Sequence, residues 1–317
     1  MNVLILSAAA KVLLVRAFRE AAQPRGGRVF AADLSRENAA LFEADGALLL
    51  PRSDDPAFPD ALLAACRAHD IRLVVPTRDG ELAALAGLKA RFAAEGIVLL
   101  VAEPEALATC RDKRRFVAFC QAHGFATPHT YAPGETPEAF PVFVRPAEGA
   151  GGAGARLVHG AQDLPADPGL LVQEPVYAPE YSIDVLMDLN GSPVQAVARE
   201  RLQVRAGEAV KSRVVDAPGF TEPALSLCRA LGLVGHNVVQ AFCERGLAPQ
   251  FIEVNPRFGG ASNLSIRAGL ASPERILQML AGEGAAYAPR PIQAGLTLLR
   301  YAEDRLVTRA DLAALAP

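Results

Sequence analysis

The sequence predicts an α/β fold in the first third of the chain and a mixed α+β fold in the remainder. Residues 1–104 alternate short apolar runs with helical patterns, and this alternation is typical of a parallel, doubly wound sheet. Beyond residue 105, a strand pattern leads through a glycine-rich segment into a returning strand, and patterns of antiparallel strands follow. The length of 317 residues is enough for two or three domains.

The N-terminal elements follow from the apolar periodicity. Strands are expected at 3–6, 28–32, 46–50, 73–76 and 98–101, and helices at 13–22, 56–69 and 80–95. The first strand runs into Ser7-Ala8-Ala9-Ala10-Lys11, which lacks the glycine fingerprint of a dinucleotide site. The polar residues at expected strand ends are Asp33, Thr77, Arg78, Asp79 and Glu81. They either shape part of a substrate pocket or solvate loops and cap helices.

The middle of the chain predicts a flexible flap. A helix is expected at 116–123, and a strand at 141–146 carries Arg145 near its end. The small-residue segment 147–156 follows, and then a returning strand at 157–158. The backbone N–H groups of such a loop can approach phosphates, although a simple hairpin linker is the alternative. No Gly-Lys-Ser/Thr follows, so the loop is not a P-loop.

The C-terminal part carries the strongest chemical pattern. Strands are expected at 170–176, 180–185, 194–201, 209–215, 237–242, 251–255 and 292–301, and helices at 221–231, 273–281 and 309–315. Glu253 and Asn255 are two residues apart in one strand, so both side chains project from the same face. Gln240, in the preceding strand, offers a third oxygen. Carboxylate and amide oxygens suit Mg²⁺ held together with substrate phosphates, and Arg257 is a cation for phosphate oxygens.

The composition is that of a globular protein without a nucleic-acid or membrane footprint. The chain is 51% hydrophobic and 21% charged, with a net charge of −3, and its positive charges are scattered. No run approaches the roughly 20 apolar residues of a membrane span, and Met1–Leu6 is expected to be a buried strand rather than a signal peptide. The five cysteines form no CxxC pair. Reduced thiols and a cytoplasmic location are therefore expected.

The order of these motifs resembles the ATP-grasp superfamily, and most closely the single-domain relatives of the carbamoyl phosphate synthetase large subunit. The resemblance implies an N-terminal doubly wound parallel-sheet domain followed by a two-lobed ATP-grasp fold. It places a substrate-side domain at 1–104, a lid with the glycine-rich flap at 105–176, and a catalytic subdomain with a C-terminal tail at 177–317.

The resemblance also implies roles for individual residues in nucleotide binding. The matching positions are Lys113, Arg145, Gly149, Gly151, Gly152, Glu174, Val176 and Glu180. Lys113 and Arg145 match the cations that hold the α- and β-phosphates, and the glycines match the flap. Arg145 replaces the lysine of many relatives. Glu174 and Val176 match the hinge that reads the adenine edge, and Glu180 matches the ribose-binding acid.

The same resemblance implies a metal site. Gln240, Glu253 and Asn255 match the Mg²⁺ ligands, and Arg257 matches the phosphate-stabilising arginine. Gln240 replaces a carboxylate that many relatives carry, so one or two Mg²⁺ ions are expected, with Mn²⁺ as an alternative ion. The expected cofactors are therefore ATP and Mg²⁺.

Further basic residues flank the proposed site. Arg205 is predicted to be a second catalytic cation and Lys211 a nucleotide-binding cation, and Arg267 is a further candidate for an anionic group. Surface salt bridging is the alternative for all three. His236 is the one histidine near the site, and we expect it to be packed or capping rather than a general base.

The predicted function is an ATP-dependent carboxylate–amine ligase that works through an acyl phosphate and releases ADP and phosphate. The alternatives are a carboxylate or carbamate kinase, and a nucleotide-binding partner subunit without turnover. The expected partners are small-molecule carboxylates and amines, amino acids among them, with no nucleic acid and no membrane. Assembly as a homodimer is compatible with this prediction.

Overall fold

A computed structural model of the chain describes residues 1–149, 152–244 and 247–315. Its N-terminal part is a parallel sheet in the order β3-β2-β1-β4-β5. The strands are β1 (Asn2–Ile5), β2 (Val29–Asp33), β3 (Gly46–Leu49), β4 (Ile71–Val75) and β5 (Val98–Leu99). The helices between them are α1 (Val12–Ala22), α2 (Phe58–Ala68) and α3 (Asp79–Ala93). This confirms the predicted doubly wound sheet.

Both faces of this sheet are buried, as expected when crossover helices cover a parallel sheet. Val3 and Ile5 of β1 lie in one apolar cluster with Phe18 of α1. Leu4, on the opposite face of the same strand, lies in a second cluster with Leu62 of α2. The carboxyl ends of the strands remain free to contribute polar side chains to a site.

The middle segment forms a small antiparallel sheet in the order β7-β6-β8. Its strands are β6 (Val142–Pro146), β7 (Arg156–Val158) and β8 (Leu170–Gln173), and they follow α4 (Pro104–Arg111) and α5 (Lys113–Ala122). Asp112 caps α5, because its side chain accepts from the backbone N–H groups of Arg114 and Arg115 at 2.8 and 3.4 Å. This cap fixes Lys113 at the start of the helix. The sequence pattern had not predicted α4.

The C-terminal part is built on a six-stranded sheet in the order β13-β12-β9-β10-β11-β14. The strands are β9 (Glu180–Met187), β10 (Pro193–Arg205), β11 (Glu208–Val215), β12 (Gly235–Phe242), β13 (Gln250–Asn255) and β14 (Thr297–Leu299). The helices are α6 (Pro218–Ala230), α7 (Ser262–Ser265), α8 (Ser272–Leu280) and α9 (Arg309–Ala314), and a π-helical turn spans Ile266–Leu270.

One predicted strand is much shorter than expected. The segment 292–301 contains only the three residues of β14, which pair antiparallel with Lys211–Arg213 of β11. Gly295 has a left-handed backbone with φ of 82°, which interrupts an extended strand just before β14 begins. The apolar pattern of this segment therefore predicts a longer strand than the one that forms.

One face of the six-stranded sheet is apolar, and the opposite face is polar where it carries Ser182 and Asp184 but apolar at Leu186 and Val197. Ile183, Val185 and Met187 of β9 lie in the apolar cluster that includes Leu227 of α6, so α6 covers that face. The three sheets fall within the three predicted segments, and the boundaries at 104 and 176 stay a prediction. None of the helices that the structure describes has the length and apolarity needed to cross a bilayer.

Candidate functional site

A cleft of about 820 Å³ lies between the small sheet and the polar face of the six-stranded sheet. The residues on its floor alternate along their strands, as the pleat requires. The floor side chains are Glu180 and Ser182 of β9, Arg199 and Arg201 of β10, Gln240 of β12, and Glu253 and Asn255 of β13. The residues expected to bind a metal and a ribose therefore share one surface.

The three predicted metal ligands converge in this cleft. Gln240 is the direct cross-strand partner of Glu253, and Asn255 follows two residues later on the same face, where its Nδ2 donates to Glu253 Oε1 at 3.2 Å. One carboxylate and two amide oxygens fit a Mg²⁺ ion that completes its shell with water and phosphate. In the described chain, no three acidic, histidine or cysteine side chains cluster into a metal cage.

Two buried cations border the carboxylate of Glu253. Lys113 Nζ donates to the carbonyl of Gly149 at 2.7 Å, and Arg145 Nη2 donates to the carbonyl of Ile252 at 3.2 Å. Burial lowers the pKa of both groups, and the charge of Glu253 opposes that shift in both. Arg145 Nε is buried and has no hydrogen-bond partner among the described residues. An anionic ligand in the cleft would satisfy it.

The predicted flap borders the same cleft. Gly149 and Gly152 both line it, and Gly149 has a φ of 109°, a backbone conformation that favours glycine. Gly151, the third predicted flap residue, lies outside the described residues. The carbonyl of Gly149 already contacts Lys113, so the start of the flap is tied to a phosphate-side cation.

The predicted hinge and ribose residues lie along one wall. Glu174, Val176 and Glu180 line the cleft. Burial raises the pKa of Glu180, and the guanidinium of Arg201 opposes this shift from 3.1 Å away. Arg201 was not predicted as a site residue. Its only signal in the sequence is its spacing of two from Arg199, which places both on the cleft side of β10.

Arg257 links the cleft to the N-terminal sheet. Its Nε and Nη2 donate to the two carboxylate oxygens of Asp79, each at 2.7 Å, and Nη2 also donates to Asn255 Oδ1 at 3.2 Å. Asp79 is the first residue of α3, just beyond the carboxyl end of β4, so this strand-end residue does reach the site. Glu81 instead accepts from the backbone N–H of Thr77 at 2.7 Å and caps the turn.

The structure separates Arg205, Lys211 and Arg267 from the other predicted site residues. Arg205 and Lys211 are exposed and do not line the cleft. The pairing of β10 with β11 shifts register on both sides of Gln203, and such an irregularity exchanges the two faces of a strand. Val204 therefore lines the cleft where alternation from Arg201 would have placed Arg205. Arg267 pairs with Glu20 at 2.8 Å on the surface.

Beneath the floor lies a buried polar network that the sequence analysis did not predict. Asp184 is fully buried and accepts from Arg199 Nε, from Ser262 Oγ at 2.5 Å, from Ser265 Oγ at 2.6 Å and from His236 Nε2 at 2.9 Å. Burial alone would raise the pKa of Asp184, but the charge of Arg199 and the hydrogen bond from His236 hold it well below its usual value.

His236 is a packed residue, as expected. Its ring stacks on Phe258 with the centroids 4.2 Å apart, and Nδ1 accepts from Ser272 Oγ at 2.8 Å. Although Ser272, His236 and Asp184 form a hydrogen-bonded chain, none of the three lines the cleft. These three residues therefore do not touch a ligand in the cleft, and they support its floor from below.

Comparison with known proteins agrees with this architecture. Residues 3–100 match the family model of the PylC-like N-terminal domain. Residues 166–303 match the model described as ATP-grasp in the biosynthetic pathway with Ter operon. The chain is 28% identical over 190 residues to the carbamoyl phosphate synthase large chain of Myxococcus xanthus, a match that covers 51% of this chain and 18% of that protein. The chain therefore corresponds to a small part of that relative.

Solved structures show the same fold over nearly the whole chain. The L-amino acid ligase from Bacillus licheniformis has a TM-score of 0.67 at 18% identity, covering 91% of this chain and 77% of that one. The ADP complex of N5-carboxyaminoimidazole synthetase from Staphylococcus aureus has a TM-score of 0.68 at 17% identity, covering 92% and 79%. The biotin carboxylase from Campylobacter jejuni has a TM-score of 0.68 at 18% identity, covering 93% and 73%.

The two family models match residues 3–100 and 166–303, and the fold shared with the solved structures also covers most of the residues between them. The chain belongs to the ATP-grasp superfamily and is related to the carbamoyl phosphate synthetases.

Proposed function

We propose that the protein is an ATP-dependent carboxylate–amine ligase that forms an amide or peptide bond and releases ADP and phosphate. The observation that carries this proposal is the convergence, in one cleft, of the oxygen donors Gln240, Glu253 and Asn255 with the buried cations Lys113 and Arg145. Phosphoryl transfer depends mainly on positioning and on neutralisation of charge, and these groups supply both.

The residues of the chain have distinct tasks in this reaction. Lys113 and Arg145 hold the phosphate chain, and Glu180 holds the ribose. Glu253 and the amide oxygens of Gln240 and Asn255 would hold Mg²⁺, which would neutralise charge on the phosphates when bound. A substrate carboxylate oxygen attacks the γ-phosphorus, and the bond from that phosphorus to the ADP oxygen breaks. The amine nitrogen then attacks the acyl carbon, inorganic phosphate leaves and the amine loses a proton.

The comparisons support this class of reaction. A ligase of L-amino acids and a synthetase crystallised with ADP share the fold over more than nine-tenths of this chain. The proposed substrates are accordingly a small carboxylate and a small amine, amino acids among them. A homodimer and the use of Mn²⁺ in place of Mg²⁺ stay predictions, which light scattering and metal-dependent assays would test.

A carboxylate or carbamate kinase is the second candidate. The relative named carbamoyl phosphate synthase has an acyl phosphate as its named product, and it matches 51% of this chain. A partner subunit without turnover is less consistent with the site, because a nucleotide binder has no need for Glu253, Asn255 and Arg257 to meet in one cleft.

A hydroxylamine trap tests the proposal. The enzyme, MgATP and a panel of amino acids and small carboxylates are incubated with hydroxylamine, and the nucleotide products are separated by chromatography. The expected products are ADP and a hydroxamate, with both absent in Glu253→Gln. Stoichiometric AMP would overturn the mechanism. ADP with a stable phosphorylated product that amines do not consume would favour the kinase.

A further inference from the structure

The guanidinium of Arg199 is an incompletely satisfied cation in the cleft floor. The side chain is 2% exposed, yet it contributes to the cleft lining. Its Nε donates to Asp184 Oδ2, whereas Nη1 is buried and has no hydrogen-bond partner among the described residues. Leaving a buried donor unsatisfied costs about 1–3 kcal/mol. The guanidinium therefore has unused hydrogen-bonding capacity beside the cleft that the side chain lines.

The buried network makes Arg199 a rigid donor. Asp184 accepts from Arg199 and also from Ser262, Ser265 and His236, so the carboxylate cannot turn away without breaking several hydrogen bonds. Ser262 Oγ in turn accepts from the backbone N–H of Gly259 at 2.9 Å, and Gly259 lines the cleft. One carboxylate thus positions both the guanidinium and part of the adjoining loop.

Arg199 is distant from the cations assigned to the nucleotide phosphates. The strand registers join Arg199 to Ser182, Ser182 to Gln240, and Gln240 to Glu253. Three strand spacings therefore separate Arg199 from Glu253, which is about 14 Å between their backbones. Arg145 contacts Ile252, next to Glu253. The cleft thus has positive groups on two sides, and the nucleotide phosphates account for only one.

We propose that Arg199 binds the carboxylate of an amino-acid substrate that does not take part in bond formation. The inference rests on the proposed ligase function and assigns this non-reacting carboxylate to a residue for which the sequence and the comparisons give no role. A planar guanidinium whose Nε is already paired presents its remaining edge to a planar carboxylate, a geometry that a lysine cannot reproduce. Arg199 is a substrate-binding residue in this proposal, and Asp184 is the residue that positions it.

Acetate is a suitable probe, because it is the smallest carboxylate. Thermal unfolding of the full chain is measured with Mg²⁺ and saturating AMP-PNP, so that the phosphate-side cations are occupied. Sodium acetate is compared with sodium chloride at equal ionic strength. We expect acetate to raise the unfolding temperature of the wild type by about 1–2 °C more than chloride does. No difference between the salts would overturn the proposal.

The matched variant is the double substitution Arg199→Gln with Asp184→Asn, which removes both buried charges and leaves neither unpaired. We expect it to bind AMP-PNP within about threefold of the wild type and to lose the acetate effect. Arg199→Lys keeps the charge opposite Asp184, so it is expected to fold and to show at most a weakened effect. Arg213→Gln, an exposed residue of β11, is expected to keep both properties.

Two outcomes of these measurements would contradict the proposal. An acetate effect that persists in both Arg199 variants would show that the carboxylate binds elsewhere. Loss of AMP-PNP binding in Arg199→Lys would assign Arg199 to the nucleotide instead. The proposed ligase chemistry fails separately, through AMP formation in the hydroxylamine trap, and that failure would leave the acetate result unchanged.

Discussion

Replacement of Asp79 with asparagine is expected to tighten the binding of Mg²⁺ and AMP-PNP. In the structure, Arg257 is held by Asp79 through two hydrogen bonds of 2.7 Å. Arg257 must leave this pair, at least in part, to contact a phosphate. Nucleotide binding to the wild type therefore requires the Arg257–Asp79 ion pair to be broken. The interaction that has to be broken in the variant is weaker.

The expected change in the dissociation constant of the nucleotide follows from the solvent exposure of the Asp79–Arg257 ion pair. The Asp79 side chain is 45% exposed and that of Arg257 is 15% exposed, so solvent screens the attraction and the pair is worth about 1 kcal/mol. Asparagine can still accept one hydrogen bond, so the dissociation constant is expected to fall about three- to fivefold. Higher ionic strength should narrow the difference between the two proteins.

Isothermal titration calorimetry with AMP-PNP and Mg²⁺ measures this change. Asp60→Asn is the matched control, because it removes the same charge from another ion pair of the N-terminal part, on α2. The control is expected to bind the nucleotide as the wild type does. Unchanged or weaker affinity in Asp79→Asn would refute the reasoning, and weaker affinity would mean that Asp79 orients Arg257 toward the phosphate.

Three further predictions follow from the site. Glu253→Gln should lower turnover at least about a hundredfold without loss of fold, because it removes the only carboxylate of the metal set; normal turnover with normal Mg²⁺ dependence would contradict the metal assignment. Arg145→Ala should raise the dissociation constant for ATP about ten- to a hundredfold in calorimetry. The stability that Asp184 provides is present above its unfolded pKa, near 4, and is lost as the pH falls further, toward its depressed folded pKa.

The pH prediction is measured by urea unfolding at a series of acidic pH values. The wild type should lose stability more steeply below about pH 4 than the Asp184→Asn and Arg199→Gln double variant. Equal slopes would show that Asp184 titrates alike in the folded and unfolded chains.

For the calorimetric measurement on Arg145→Ala, the control variant is Arg213→Gln, since Arg213 is exposed and lies outside the cleft.

Local patterns predicted the parts of the site that depend on neighbouring residues. Glu253 and Asn255 share a face because they are two residues apart in one strand, and the structure places both in the cleft. The parallel N-terminal sheet was predictable for a similar reason, since each strand and helix has its own apolar period. The helix α4 was missed, as was the late start of the strand expected at 292–301, where Gly295 precedes β14.

Contacts between distant segments were not predictable from local pattern. Arg257 meets Asp79 across 178 positions of the chain, and Arg199 meets Asp184 only because β10 pairs with β9 in one particular register. The irregular pairing around Gln203 turned Arg205 out of the cleft. A single unpaired residue reverses the faces of a strand, and no local signal in the sequence marks its position.

The cysteines have a practical consequence for studying closure of the cleft. All five are buried, and burial raises the pKa of Cys66, Cys110 and Cys120 to about 12. Maleimides react with the thiolate, so these native thiols should label slowly near neutral pH. A cysteine introduced at Ala153, which is exposed at the cleft rim, would then be the fast-reacting thiol. With a second at Val204 across the cleft, a pair of fluorophores would report the distance between its two sides as nucleotide binds.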